Sequence, residues 1–202
     1  MGTCLVATTN HGKYREIVNF FGSKLSLISM QDKNIAPCSE PFDTFVENAL
    51  FKARHVSKKT KLPVLADDSG LVVEVLNGAP GVKSARFSKV QTDSTRDEAN
   101  NIELLKQMSS FFDTKKRSAY FVSVLVGVSS HFDPCPAIGI GIWHGQILKK
   151  PVGENGHGYD PIFYCPIARK SAAQMSLSEK QKHSHRGRAL KNIYPLLIEK
   201  NF

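Results

Sequence analysis

Apolar and polar positions alternate in short blocks along the chain, and the blocks switch between strand and helix periods several times. An apolar run at 4–8 predicts a first strand. It leads through Thr8-Thr9-Asn10-His11-Gly12-Lys13 into a helix over 13–22, with Asn10 as its cap. A second strand is expected at 25–29, then a polar loop over 31–41 that contains Glu40. Thr44 and Glu47 form a capping-box pair that opens a helix to about Lys59, with Phe45, Ala49, Ala53 and Val56 on one face. The apolar run at 63–66 ends in two adjacent carboxylates, Asp67 and Asp68. Ser69-Gly70 is expected to turn the chain before a second apolar run at 71–75 and another turn at 77–81.

Further along, Thr95 with Glu98 is a second capping box, opening a helix to about Phe112 with Ile102, Leu105 and Met108 inward. Runs rich in Val, Phe and Tyr predict long strands at 117–129 and 138–148, the latter interrupted by Gly139 and Gly141. Their length suggests an antiparallel pair across the loop at 131–136. Residues 153–161, GENGHGYDP, are polar and glycine-dense, a composition that lets backbone approach a ligand. Ser178 with Gln181 reads as a third cap, starting a final helix with Leu190, Ile193, Leu197 and Ile198 as its packing stripe; Pro195 should disturb it. Strands and helices intermix with no internal repeat or linker, so the fold class is α/β, mixed α+β, with one mixed sheet.

The 202 residues fit one large domain or two small lobes, and a 41% hydrophobic content suffices for a core. The longest mostly apolar run, 119–128, is far shorter than the roughly 20 residues of a membrane helix. No basic region precedes the first apolar run, so no signal peptide is read; the Met-Gly start meets Val6 where myristoylation wants Ser or Thr. The four cysteines form no CxxC pair, which favours free thiols in a reducing cytoplasm over a zinc site. A net charge of +9 points to polyanionic partners, nucleic acid or phosphorylated small molecules, or simply to a solvated basic surface.

Three local signals converge. Strand, glycine-bearing polar loop, then helix with a leading lysine is phosphate-binding architecture, although the Walker pattern is absent. The Asp67-Asp68 pair offers hard oxygens of the kind Mg²⁺ takes, one or two at a time, beside water and phosphate. Glu179, Lys180, Lys182, His183, His185, Arg186 and Arg188 crowd the start of the final helix; cations there oppose the helix dipole, a local conflict that suggests a ligand. His183 and His185 are two apart and share no helix face, which argues against a transition-metal site. Together the signals describe a nucleoside-triphosphate or polyphosphate site, with one aspartate carrying the chemistry and the other supporting it.

Five segments extend this reading: ATTNHGKYREI (7–17), FVENALFKARH (45–55), LPVLADDSGLVVEVLNGAPGVKSARF (62–87), GHGYDPIFY (156–164) and SHRGRAL (184–190). In that order they resemble the inosine triphosphate pyrophosphatase family, the non-canonical purine nucleoside triphosphatases. The resemblance implies Mg²⁺-dependent hydrolysis of inosine and xanthosine triphosphates to monophosphate and pyrophosphate by a homodimer. It implies a single 1–202 domain with an elongated mixed sheet flanked by helices and two lobes with a cleft between them. The family's general base and metal ligand falls on Asp68, with Asp67 and Glu40 as further metal-side carboxylates. Its phosphate loop falls on Thr8, Thr9, Asn10, His11, Gly12 and Lys13, with Lys52, Ser69 and Lys180 as other phosphate or sugar contacts. Its base-recognition segment falls on His157, Gly158, Tyr159 and Asp160, completed by His185 and Arg186. Arginine only donates, so Arg186 facing the purine 6-position would favour a keto oxygen. Two positions depart from the family pattern: Thr9 replaces a common glycine and His157 a stacking phenylalanine.

The rival enzyme reading is a Maf-like nucleotide pyrophosphatase, against which GHGYD and SHR argue. The rival of another class is a basic nucleic-acid-binding module. Its basic residues would have to interleave with aromatic ones on one surface, whereas here they cluster beside carboxylates. The expected partner is thus a nucleotide, with neither nucleic acid nor membrane.

Overall fold

The computed structural model describes residues 3–89 and 95–202; the Met-Gly start weighed above lies outside them. Seven strands form one mixed sheet: β1 (Thr3–Ala7), β2 (Ser26–Ser29), β3 (Val64–Val73), β4 (Ser118–Val128), β5 (Ala137–Ile147), β6 (Phe163–Cys165) and β7 (Lys170–Ser171), in the spatial order β2-β1-β3-β4-β5-β6-β7. β1 pairs in parallel with β2 and β3, and β6 pairs antiparallel with β5 and β7. The α-helices are α1 (His11–Phe21), α2 (Phe45–Thr60), α3 (Arg96–Gln107), α4 (Leu177–His183) and α5 (His185–Glu199).

The chain divides into two compact units. The first comprises Met1–Asp68, Ser123–Gly141 and His185–Phe202, and the second Ser69–Val122 and Ile142–Ser184. Each has its own core. In the first, Val6 and Leu65 of the sheet meet Ile17 and Phe21 of α1 and Leu190, Ile193 and Leu197 of α5. In the second, Leu71, Phe121, Trp143 and Phe163 pack with Leu104 of α3 and with Met108. Arg117 stitches the second core: its buried guanidinium donates to the carbonyls of Met108, Phe111, Ile147 and Leu148 at 2.7–2.9 Å. Four carbonyl dipoles there stand in for a counter-ion.

Several elements differ from those expected. No turn interrupts β3: Ser69 and Gly70 continue the strand through both aspartates. α1 starts at His11, two residues before the expected position, because Asn10 caps it by accepting from the Lys13 N–H. The expected last helix is two helices. α4 is capped by Ser176, whose hydroxyl accepts from the Glu179 N–H, and not by Ser178; Ser184 leaves helical geometry before α5 begins. Lys180, Lys182 and His183 therefore sit in the last turn of a helix, where the dipole favours them. The inferred electrostatic conflict at a helix start does not arise for those three. In α3 the inward residues are Ala99, Asn100, Asn101 and Leu104, while Ile102 is 63% exposed. Met108 and Leu105 pack on the core as expected, while Asn100 and Asn101 are buried because their amides bond backbone groups. In α5, Pro195 lies inside the helix, and Ile198 is exposed rather than part of the stripe.

Alternation along β5 puts Gly139 and Gly141 on the side that α5 covers. A Cβ on Gly141 would lie 2.0 Å from the His185 carbonyl oxygen and 2.5 Å from the Ala189 nitrogen. Backbone thus packs on backbone at the first turn of α5, and no flexible side chain can yield. Gly141→Ala is expected to cost about 3 kcal/mol in urea unfolding by overpacking; parent-like stability would show that α5 does not seat there.

Candidate active site

Ala7 of β1 is registered opposite Ala66 of β3, so the loop leaving β1 at Thr8 begins beside Asp67. Ligands of parallel sheets gather at such strand ends. The loop runs into α1, whose first backbone N–H groups have no intrahelical acceptor and attract anions. The Asn10 N–H donates to the Thr8 hydroxyl at 3.2 Å, which fixes the bend. Thr8, Thr9, Asn10 and His11 line a cavity of about 190 Å³ together with Gln31 and Asp32. Four of the six predicted phosphate-loop residues thus line one cavity; Gly12 and Lys13 are not in its lining.

Consecutive strand residues point to opposite faces, and β3 carries Asp67 and Asp68 in succession. Asp67 is fully buried. Lys13 Nζ reaches its Oδ2 at 2.8 Å, Arg186 Nη2 the same oxygen at 3.4 Å, and the Ser123 hydroxyl donates to Oδ1 at 2.6 Å. Arg186 also pairs with the buried Glu16 of α1. Burial alone would raise the pKa of Asp67. The charges of Arg186 and Lys13 and the hydrogen bonds from Lys13 and Ser123 outweigh it and hold the carboxyl well below its ordinary value.

Asp68 is differently compensated. Its partner is Lys52 of α2, at 2.8 Å from Oδ1. The same ammonium donates to Glu40 at 2.9 Å and to the Asp67 carbonyl at 2.8 Å, which uses all three of its protons. Asn48, one turn before Lys52, fixes the neighbouring loop by accepting from the Phe42 N–H and donating to the Phe42 carbonyl. Burial raises the pKa of Asp68, and the shared charge of Lys52 with the more distant one of Lys13 does not undo it. Lys52 is raised because Asp68 and Glu40 together exceed its own burial penalty.

Asp68 Oδ2 is buried and has no hydrogen-bond partner. An orphaned carboxylate oxygen beside the quarter-exposed Glu40 side chain is a donor set that suits a hard divalent cation completed by water and phosphate. Among the described residues no group of three or more His, Cys, Asp or Glu side chains could hold a metal by itself. Both oxygens of Asp67, the third expected metal-side carboxylate, are engaged by Lys13, Arg186 and Ser123. Arg186, 1% exposed, is a counter-ion to Asp67 and Glu16, and His185 beside it is buried too.

In the second unit Ser69 follows Asp68 on β3. Residues 157–160 form a segment held from several sides. Asp160 is buried, accepts from the His157 N–H at 2.9 Å, and pairs with the buried Lys180 at 2.5 Å. Gly156 has to be glycine: its φ is +84°, and a Cβ would come within 2.1 Å of the Asp160 carboxylate. Tyr159 donates its hydroxyl to the Ser84 carbonyl at 2.8 Å. Glu16, Asn48, Ser123, Asp97 and Asn101 complete these clusters and were not singled out in the sequence. Their partners lie far off in sequence or on backbone groups, so no local spacing marks them. No helix among the described residues is long and apolar enough to cross a membrane. The four cysteines are free, and burial pushes the Cys4 thiol up to about 12.

A loop at a parallel strand end, paired carboxylates and converging lysines define a mixed α/β protein that handles phosphate. The chain belongs to the Ham1 family, whose model matches residues 4–196. A dITP/XTP pyrophosphatase of Bordetella parapertussis is 44% identical over 190 residues, 94% of this chain and 88% of that protein. A dITP/XTP pyrophosphatase of Escherichia coli is 43% identical, with 98% of both chains covered. Among solved structures, a HAM1 protein from Coxiella burnetii superposes with a TM-score of 0.87 at 38% identity over 98% of this chain and 100% of that one. A nucleoside-triphosphatase / dITP/XTP pyrophosphatase from Mycobacterium abscessus gives 0.73 at 40% over 96% and 99%. These matches do not favour the Maf-like or the nucleic-acid-binding reading.

The two aspartates should behave oppositely on mutation. Asp67→Asn leaves Arg186 and Lys13 undercompensated in a buried site and is expected to cost about 3 kcal/mol at pH 7. Because the folded pKa of Asp67 is depressed, its contribution is present above the unfolded value and declines as pH falls below about 4. Asp68→Asn should change stability by about 1 kcal/mol or less, since burial already disfavours its charged form. Urea unfolding at pH 7 and pH 3 checks both; equal losses for the two variants would refute the division of roles.

Proposed function

We propose that this chain hydrolyses dITP, ITP and XTP to the monophosphate and pyrophosphate in a Mg²⁺-dependent reaction, cleansing the nucleotide pool of non-canonical purines. The observation that carries the proposal is the asymmetric carboxylate pair on β3: one aspartate locked by cations, its neighbour buried, under-compensated and carrying an orphaned oxygen. Near-full-length similarity to dITP/XTP pyrophosphatases supplies the substrate class.

In this proposal Asp68 and Glu40 hold the cation. When bound, Mg²⁺ supplies positive charge against the phosphate oxygens. Asp68 accepts a proton from a water whose oxygen attacks the α-phosphorus. The bond from that phosphorus to the oxygen bridging it to the β-phosphorus breaks, and pyrophosphate leaves with the bridging oxygen. The Thr8–Lys13 loop binds phosphate oxygens through backbone N–H groups, and Lys13 and Lys52 add charge against the leaving pyrophosphate. Residues 157–160 contact the base. We place the enzyme in the cytoplasm, in keeping with its free thiols.

Pyrophosphate release from dITP, XTP, dGTP and dATP, with Mg²⁺ and with EDTA, tests the reaction. Metal-dependent release from dITP and XTP only is expected, with Asp68→Asn slower by at least about a hundredfold. Release from none of the four sinks the proposal, and near-parent turnover by Asp68→Asn removes Asp68 as the base.

A homodimer belongs to the same reading. Ile138 and Ile140 of β5 are 40% and 47% exposed, apolar surface at alternate strand positions of the kind interfaces cover. Light scattering should give a mass near twice that of one chain, and Ile140→Lys should shift it toward the monomer. A monomeric parent contradicts this.

A further inference from the structure

Asp97 and Asn101 lie four residues apart on α3, so their side chains share a helix face. Both reach the same residue. Asp97 Oδ2 accepts the Gly158 N–H at 2.6 Å, and Asn101 Nδ2 donates to the Gly158 carbonyl at 2.9 Å. One helix thus grips both backbone polar groups of one loop residue. The preceding N–H, that of His157, is held by Asp160, which Lys180 fixes in turn. We propose that Asp97 and Asn101 are positioning residues: they hold residues 157–160 in the shape that receives the purine, and so govern affinity and base preference by acting through that segment.

Two observations favour this over incidental packing. Residues 156–158 belong to no strand or helix, so side chains must supply the order that a ladder would give elsewhere. Asn101, only 7% exposed, also keeps its Oδ1 buried with no hydrogen bond. An apolar residue would fill that place without a desolvated acceptor. A stability cost retained at the position that grips Gly158 is the pattern expected where function overrides local economy. Asp97, in the first turn of α3, gains from the positive end of the helix, and its short bond to Gly158 is charge-assisted.

The proposal rests on residues 157–160 contacting the base, and its test separates the two. Asp97→Ala, Asn101→Leu and the conservative Asp97→Asn are compared with the parent after a check of thermal unfolding. The first readout is amide hydrogen exchange of residues 156–160 in the free protein, where Asp97→Ala and Asn101→Leu should exchange about tenfold faster or more while the remainder of α3 keeps its protection. The second is steady-state kinetics on dITP, XTP and dGTP. KM for dITP should rise about tenfold while kcat falls less than about threefold, and the preference for dITP over dGTP should shrink by a similar factor. Asp97→Asn retains an oxygen for the Gly158 N–H and should recover most of both losses. Faster exchange with parent-like KM and preference overturns the positioning role while the base reading stands. So does a loss confined to kcat or to thermal stability. A parent that hydrolyses dITP and XTP no faster than dGTP overturns the base reading and the positioning role together.

Discussion

Two ionisable carboxylates at adjacent positions of a buried strand must each find compensation, and they must find it on opposite faces. Desolvating a carboxylate costs several kcal/mol even after relaxation. One ion pair at 2.8 Å returns on the order of 6 kcal/mol of gross attraction at an effective dielectric near 20. Asp67 collects two cations and a hydroxyl, more than enough to stay charged. Asp68 has its main share in one ammonium that Glu40 also uses. This inequality sorts the pair into a rigid anchor and a group that still gains from a further cation or a proton.

The anchor depends on the placement of elements distant in sequence. Arg186 sits in the first turn of α5, and that turn lies flat on β5 because Gly141 has no side chain. Glu16 on α1 takes another edge of the same guanidinium, while Lys13, one turn earlier on α1, takes the aspartate. The first turns of α1 are therefore bound electrostatically to the strand that carries both aspartates. A change at Gly141 would be felt at Asp67 through α5, and from there at the loop. Packing and site geometry are one constraint here.

Much of this was legible in the sequence because it is local. Strands, caps at Asn10, Thr44 and Thr95, and the order of five motif segments depend on neighbours along the chain. What escaped reading depends on partners across the fold. Ser69-Gly70 reads as a turn because Ser and Gly are common turn residues; the strand runs on through them to Val73. Ile102 looked inward because apolar residues usually are, yet Asn100 and Asn101 took that face by bonding to backbone. The crowd of cations after Ser178 looked like one helix start until Ser184 divided it. Arg186 was visible as important, but its partners Glu16 and Asp67 lie 170 and 119 residues away, beyond any spacing rule.

The two units treat their functional segments in the same physical manner. In the first, Asn48 holds the loop beside Glu40 by bonding both backbone groups of Phe42. In the second, Asp97 and Asn101 do the same to Gly158. A loop fixed this way needs no regular structure of its own, and its backbone is set before a ligand arrives. Preorganised dipoles act strongly because they do not have to reorient as charge develops. Two of these gripping residues, Asn48 and Asn101, are buried polar groups, which destabilise if a bond is lost. The orphaned oxygens of Asp68 and Asn101 show where this chain tolerates that cost, and both lie on or beside segments assigned to substrate.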